Sequence, residues 1–118
     1  MKEIATILGV PVTPYTMDEA VAKLTRDTLA NKNNFIVTAN AEIIMMAQED
    51  GEYKRLLSET ADIILPDGAG TVWAGNYLGY TIPERVAGYD LYLRLLEEAA
   101  RNTISVYFFG FGYKIFSV

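Results

Sequence analysis

The 118-residue sequence contains no cysteine and no histidine. Disulfides, thiolate nucleophiles, imidazole bases and Cys/His zinc sites are thereby excluded. Any general acid or base must be a carboxylate, a lysine or a tyrosine, and any metal would be a hard ion held by oxygen atoms. Basic residues are outnumbered 10 to 15 by acidic ones and form no cluster. The net charge of −5 argues against a nucleic-acid partner, which demands a basic face to neutralise phosphate. No apolar run approaches the roughly 20 residues of a membrane span. Glu3 and the stretch Pro11-Val12-Thr13-Pro14 spoil a signal-peptide reading of the N-terminus. A soluble, cytoplasmic protein is the expectation.

What is present fits a single α/β domain over residues 1–118. The hydrophobic fraction is 51%, which argues for a globular fold rather than disorder. A chain of this length buries about two-thirds of its unfolded surface, enough for one core. No internal repeat, linker or low-complexity tract interrupts it.

Residues 4–13 read as a β-strand bent at Gly9-Val10-Pro11, with Pro11 confined to an edge or bulge. Thr16-Met17-Asp18-Glu19 fits a capping box. Ala20, Val21, Leu24, Thr28 and Leu29 then recur at helical spacing, predicting an amphipathic helix over 17–31. The apolar run Phe35-Ile36-Val37-Thr38 reads as a strand buried on both faces, followed by a helix over about 41–48 and a second short helix, or its continuation, over 52–58. Residues 62–65 are a third strand. The Ala/Gly-rich segment 69–78 is a helix in which Trp73 and Tyr77, spaced i, i+4, are expected to pack together. Residues 90–101 form another amphipathic helix, and Ser105–Phe109 a fourth strand. The order β-α-β-α-β-α-α-β predicts a mostly parallel sheet with right-handed crossovers. The chain stops about nine residues past that fourth strand. A parallel sheet needs both faces covered, so another segment or a second copy, in a homo-oligomer, is expected to cover what is left exposed.

The chain is organised around residues 61–85, where strand, acidic turn and Gly-rich helix follow one another. That order sets a lone carboxylate, Asp67, at the mouth of an α/β sheet, where ligands bind in such folds. Asp67 has two readings. In the plainer one it is a helix cap or turn aspartate, since Pro-Asp-Gly is a turn sequence. In the other it is a general base, or a group that orients a sugar hydroxyl or a metal. Asn40 is a good N-cap; alternatively Thr38 and Asn40, at a strand's carboxyl end beside a helix N-terminus, line a phosphate site. Arg85 is either a solvated charge paired with Glu84 or a forked clamp on a diphosphate. Gly110-x-Gly112 opens like a dinucleotide fingerprint, but Ile115 stands where its third glycine would be. The eight tyrosines are scattered, as core and rim residues are, and Glu97-Glu98 is a solvated helix face.

Taken together, ILGVPVT, FIVTANAEII, ADIILPDGAGTVWA and PERVAGYDL resemble, in order and spacing, the WecG/TagA/CpsF glycosyltransferases from about Ile7 to Gly110. The resemblance implies a Rossmann-like three-layer fold and an inverting hexosyltransferase. Such an enzyme moves N-acetylmannosamine or a related sugar from a UDP-sugar to an undecaprenyl-diphosphate-linked sugar. The reaction belongs to teichoic acid or surface polysaccharide synthesis and takes place at the cytoplasmic membrane face. It further implies Asp67 as catalytic base, Thr38 and Asn40 in the donor pocket, Arg85 on a phosphate, and neither a cofactor nor a firm dependence on metal. Family members continue for roughly another half of the fold, so the chain is expected to be the N-terminal half, truncated after the fourth strand. A non-catalytic nucleotide- or sugar-binding half-domain is the alternative. A dinucleotide oxidoreductase ranks below both, because its glycine fingerprint and acidic ribose ligand are not intact.

Overall fold

The computed structural model describes residues 3–110. Its first element differs from the expected bent strand. Ala5–Ile7 (β1) and Val10–Val12 (β2) are the two arms of an antiparallel hairpin, with Ile7 opposite Val10 and Ala5 opposite Val12. The turn is Leu8-Gly9, both at positive φ (49° and 83°), as a tight two-residue hairpin demands. Leucine adopts that conformation rarely, so this turn lacks the usual Asn-Gly or Asp-Gly signature. Pro11 pairs opposite Thr6.

Helix α1 (Met17–Leu29) begins at the expected capping box: the Thr16 hydroxyl accepts from Glu19 N–H at 3.1 Å, and Glu19 Oε1 accepts from Thr16 N–H at 2.9 Å. It ends where Asn31 turns left-handed at φ 60°. β3 (Ile36–Ala39) leads into α2 (Ala41–Glu49), and α3 (Gly51–Arg55) runs into a π-helical turn at Leu56–Thr60. β4 (Ile63–Pro66) pairs in parallel with β3, Thr38 opposite Leu65 and Ala39 opposite Pro66. α4 (Ala69–Tyr77) and α5 (Gly88–Arg101) complete the order. Trp73 and Tyr77 stack at 5.0 Å on the exposed side of α4, as their spacing predicts.

The sheet is smaller than the β-α pattern suggests. Among the described residues there is one parallel pair, β3–β4, and one antiparallel pair, β1–β2. The hairpin joins β4 through Thr13 N–H, which donates to Ile64 O at 2.8 Å. Residues 104–110 form no strand. Ile104 N–H closes the end of α5 on Ala99 O at 2.8 Å, and Val106, Tyr107 and Phe108 are exposed. Their β-branched and aromatic character suits a pleated surface, but strand propensity is expressed only against a pairing neighbour. Of the fingerprint-like Gly110-x-Gly112, all but the first glycine lies outside the described residues, as does Ile115.

β4 is buried along its whole length and divides the core. Ile64 faces a cluster built from Ile7, Val10, Val12, Ile44, Leu57 and Ile82. Ile63 and Leu65 face the opposite cluster, with Val21 and Leu24 of α1, Val86, and Leu91 of α5. Helices therefore cover both faces of this strand, the condition for a parallel pair to be stable. Among the described residues one charged side chain is buried, that of Asp27. Asp27 Oδ2 accepts from Lys23 Nζ and from Asn34 Nδ2, each at 2.9 Å. Those two bonds, Lys23 first, hold its carboxyl below the ordinary value of 3.8.

Candidate functional site

β3 and β4 run parallel, so their carboxyl ends lie side by side, and the residue following each strand is a site candidate. Asp67 N–H donates to Ala39 O at 3.1 Å, which continues the ladder one step and sets Asn40 beside Asp67. Gly68, at φ 87°, lets the chain leave the strand at once for α4 in a conformation that side chains rarely adopt. A β-carbon built on it would lie 3.7 Å from the Asn40 β-carbon, so the turn and Asn40 are neighbours. Thr71, in the first turn of α4, is buried and donates its hydroxyl to Ala39 O at 3.0 Å, tying that helix to the end of β3.

The half-buried Asp67 carboxylate is already engaged. Its Oδ2 accepts from the N–H of Gly88, first residue of α5, at 3.3 Å. Ala87, which precedes that helix, supplies no side-chain cap. Asp67 therefore caps α5 from across the fold and not the helix that follows its own turn. Asn40 caps its own helix: Oδ1 accepts from Ile43 N–H at 2.9 Å. Neither contact uses up the carboxylate or amide, since each retains acceptor capacity toward a ligand.

Three helices begin at this edge, α2 after Asn40, α4 after Gly68 and α5 beside Asp67. Gly68 offers α4 no side-chain cap. First-turn amides and the helix macrodipole favour an anion at such a convergence, against the carboxylates of Asp67 and of Glu42 and Asp90 in the first turns of α2 and α5.

Arg85 reaches the same region through its backbone. Val86 N–H donates to Pro66 O at 2.6 Å, which pins the loop before α5 onto the end of β4. The Arg85 side chain is exposed, and among the described residues it makes no hydrogen bond or ion pair, either with Glu84 or with Asp67. The structure thus clusters Thr38, Asn40 and Asp67 and leaves Arg85 at the margin. None of the four lines the cavity of about 200 Å³ between α1 and α5, whose walls include Leu24, Thr28, Leu95 and Ala99. An apolar recess of about 130 Å³ adjoins the first turns of α2 and α4, lined by Ala41, Ile44, Gly70 and Thr71 among others.

Two contributors were not anticipated from sequence. Thr71 carries no signal beyond its place in the first turn of a helix. Gly88 does: it is the glycine of the PERVAGYDL segment, at the start of an amphipathic helix whose preceding alanine cannot cap it.

The glycosyl transferase WecG/TagA/CpsF family matches residues 5–115. A protein of Bacillus spizizenii named N-acetylglucosaminyldiphosphoundecaprenol N-acetyl-beta-D-mannosaminyltransferase is 45% identical over 80 residues, 68% of this chain and 31% of its own length. Proteins of the same name from Staphylococcus aureus and Bacillus subtilis are 35% and 28% identical over 88% and 89% of this chain, in each case 41% of their own length. The chain thus spans well under half the length of these relatives.

Proposed function

This chain belongs to the glycosyl transferase WecG/TagA/CpsF family, and we propose that it carries the base and part of the donor pocket of an inverting N-acetylmannosaminyl transfer. The donor is a UDP-sugar and the acceptor a sugar linked to polyprenyl diphosphate at the inner face of the membrane. The names of the relatives support the acceptor class. The parallel β3–β4 pair, covered on both faces, is read as the seed of a Rossmann-like three-layer sheet that further strands extend. A homo-oligomer is the other way to cover the remaining edge. No helix among the described residues is long and apolar enough to cross a membrane, so contact with the lipid-linked acceptor is read as peripheral.

In this reading Asp67 takes the proton from the acceptor hydroxyl as its oxygen bonds to C1 of the donor sugar. The C1–O bond to the diphosphate breaks on the opposite face, and UDP leaves with the electron pair. Inversion follows from that single displacement. Charge that builds on the diphosphate meets the first-turn amides of α4 and α2, with Thr38 and Asn40 beside them and Arg85 swinging in from the margin. The observation that carries the reading is the convergence of Asp67 with Thr38 and Asn40 at the carboxyl ends of one parallel pair.

The test is transfer from UDP-N-acetylmannosamine to a lipid-linked acceptor by the full-length protein, wild type against Asp67→Asn. Loss of one general base typically costs about 10²–10⁴ in rate. Equal rates remove Asp67 from the mechanism. The engaged state of the Asp67 carboxylate favours a second reading, a nucleotide- or sugar-binding unit without turnover. Saturable UDP binding by calorimetry with no product formed would select it.

A further inference from the structure

We propose that Gly88 is the positioning residue of this site, a single glycine whose N–H holds Asp67 and whose missing side chain leaves Thr38 its place. The proposal rests on the reading of Asp67 as base and adds to it a residue with no chemistry of its own.

Two observations meet at Gly88. Its N–H donates to Asp67 Oδ2 at 3.3 Å. A β-carbon built on it would lie 2.7 Å from Thr38 Oγ1, 3.4 Å from Thr38 Cβ and 3.5 Å from Thr38 Cγ2. The first of these is closer than real β-carbons come to an oxygen, so an alanine here must displace something. The backbone does not explain the glycine, because Gly88 is not among the residues at positive φ and opens a regular helix. Glycine within a helix is less favourable than alanine by about 1 kcal/mol. What the site gains is room: the first turn of α5 sits against the Thr38 side chain close enough for its leading amide to reach Asp67.

The surroundings leave a larger residue 88 little freedom to move away. Val86 N–H is bonded to Pro66 O at 2.6 Å, Val86 is fully buried, and Leu91 is buried one turn on. The Thr38 backbone is fixed in turn by its ladder position opposite Leu65. An added methyl group therefore either turns Thr38 out of its position or lifts the first turn of α5, and lifting it breaks the bond to Asp67. Both outcomes disturb the same cluster, which is how one residue positions two. A displacement of about 1 Å at a reacting group can cost about 10²-fold in rate.

The experiment records the chemical shift of the residue-88 amide in the ¹⁵N-labelled full-length protein, with the transfer rate measured on the same samples. Asp67→Asn is expected to move this amide signal, because Asp67 Oδ2 is its acceptor. In the Gly88→Ala background the same substitution is expected to leave the amide signal in place, and Gly88→Ala is expected to transfer sugar about 10²-fold more slowly. Thr38→Ala removes Oγ1 and Cγ2 and leaves only the Thr38 β-carbon near the new methyl. In that background Gly88→Ala should regain the amide response to Asp67→Asn and lower the rate no further than Thr38→Ala does alone. If Gly88→Ala by itself fails to fold, the same comparison is made between Thr38→Ala and the double variant. The proposal is overturned if the wild-type amide signal ignores Asp67→Asn, if Gly88→Ala keeps that amide response and transfers like wild type, or if Thr38→Ala gives no rescue. Equal transfer by Asp67→Asn with the amide coupling intact would instead sink the base reading and leave Gly88 as the residue that holds Asp67 and leaves Thr38 its place.

Discussion

Replacing Asp67 by alanine should destabilise the protein, and the structure says by how much. The carboxylate caps α5, a helix of 14 residues whose own N-cap position, Ala87, has no side-chain acceptor. Loss of a good N-cap costs about 0.5–2 kcal/mol, and removing a negative charge from a helix N-terminus about 0.3–1 kcal/mol. The 3.3 Å bond is long and Asp67 is only half-buried, so both contributions belong at the low end of their ranges. The sum is about 1 kcal/mol. Urea denaturation should register this as a midpoint lowered by about 0.5 M at an unchanged slope, and thermal unfolding as a Tm lower by about 4 °C. Asp67→Asn keeps an acceptor oxygen and loses only the charge, so its cost should be about half as large. The reasoning fails if Asp67→Ala is as stable as wild type. A more stable variant would reverse it: the carboxylate would then be held at a cost to the fold, as functional groups often are, rather than used as a cap.

Further outcomes follow from the packing and the buried charge. A β-carbon at Gly75 would overlap the δ-methyl of Ile82, which is itself buried, so Gly75→Ala should cost about 1–3 kcal/mol from overpacking, and Ile82→Val in the same chain, which removes that methyl, should recover part of it in urea melts. Leu65 is fully buried beside the site; Leu65→Ala should cost about 2–5 kcal/mol and lower the denaturation midpoint accordingly. Asp27 is held below its ordinary carboxyl value of 3.8 by Lys23 and Asn34, so its contribution is complete above pH 3.8 and is lost as pH falls through the lowered folded value. Asp27→Asn should therefore flatten the acid limb of the stability–pH profile, and urea midpoints measured between pH 6 and pH 2.5 would reveal an unchanged limb if the reasoning is wrong.

How much of this was legible in the sequence depended on whether the signal was local. The capping box at Thr16 and Glu19, the Asn40 cap and the Trp73–Tyr77 stack each lie within four residues of chain, and all formed as their spacing predicts. The N-terminal hairpin was missed because its turn is Leu8-Gly9, and leucine at positive φ has no sequence signature. The strand expected at Ser105–Phe109 had the composition of one, but pairing is a relation between two segments and composition describes one. Gly88 belongs to the PERVAGYDL segment, but nothing within its own stretch of chain indicates that Thr38, 50 residues earlier, occupies its side-chain space.

The same distinction decides how the two readings of Asp67 should be weighed. As a cap within its own turn it would have needed only Pro66 and Gly68, and the turn rule covers that case. The structure assigns its carboxylate a different partner, the amide of a residue 21 positions away. A local cap is replaceable by serine, asparagine or threonine, because any of them reaches the next turn. A carboxylate that spans from the end of β4 to the start of α5, with Thr38 packed under the residue it holds, is constrained in length and direction as well as in type. Under the proposed function that constraint would also aim the base, since a general base acts only when its oxygen lies within hydrogen-bond reach of the proton it removes. Capping α5 and the proposed aiming of Asp67 would then rest on one geometric arrangement, and the stability of Asp67→Asn, set beside its rate of sugar transfer, measures the two roles separately.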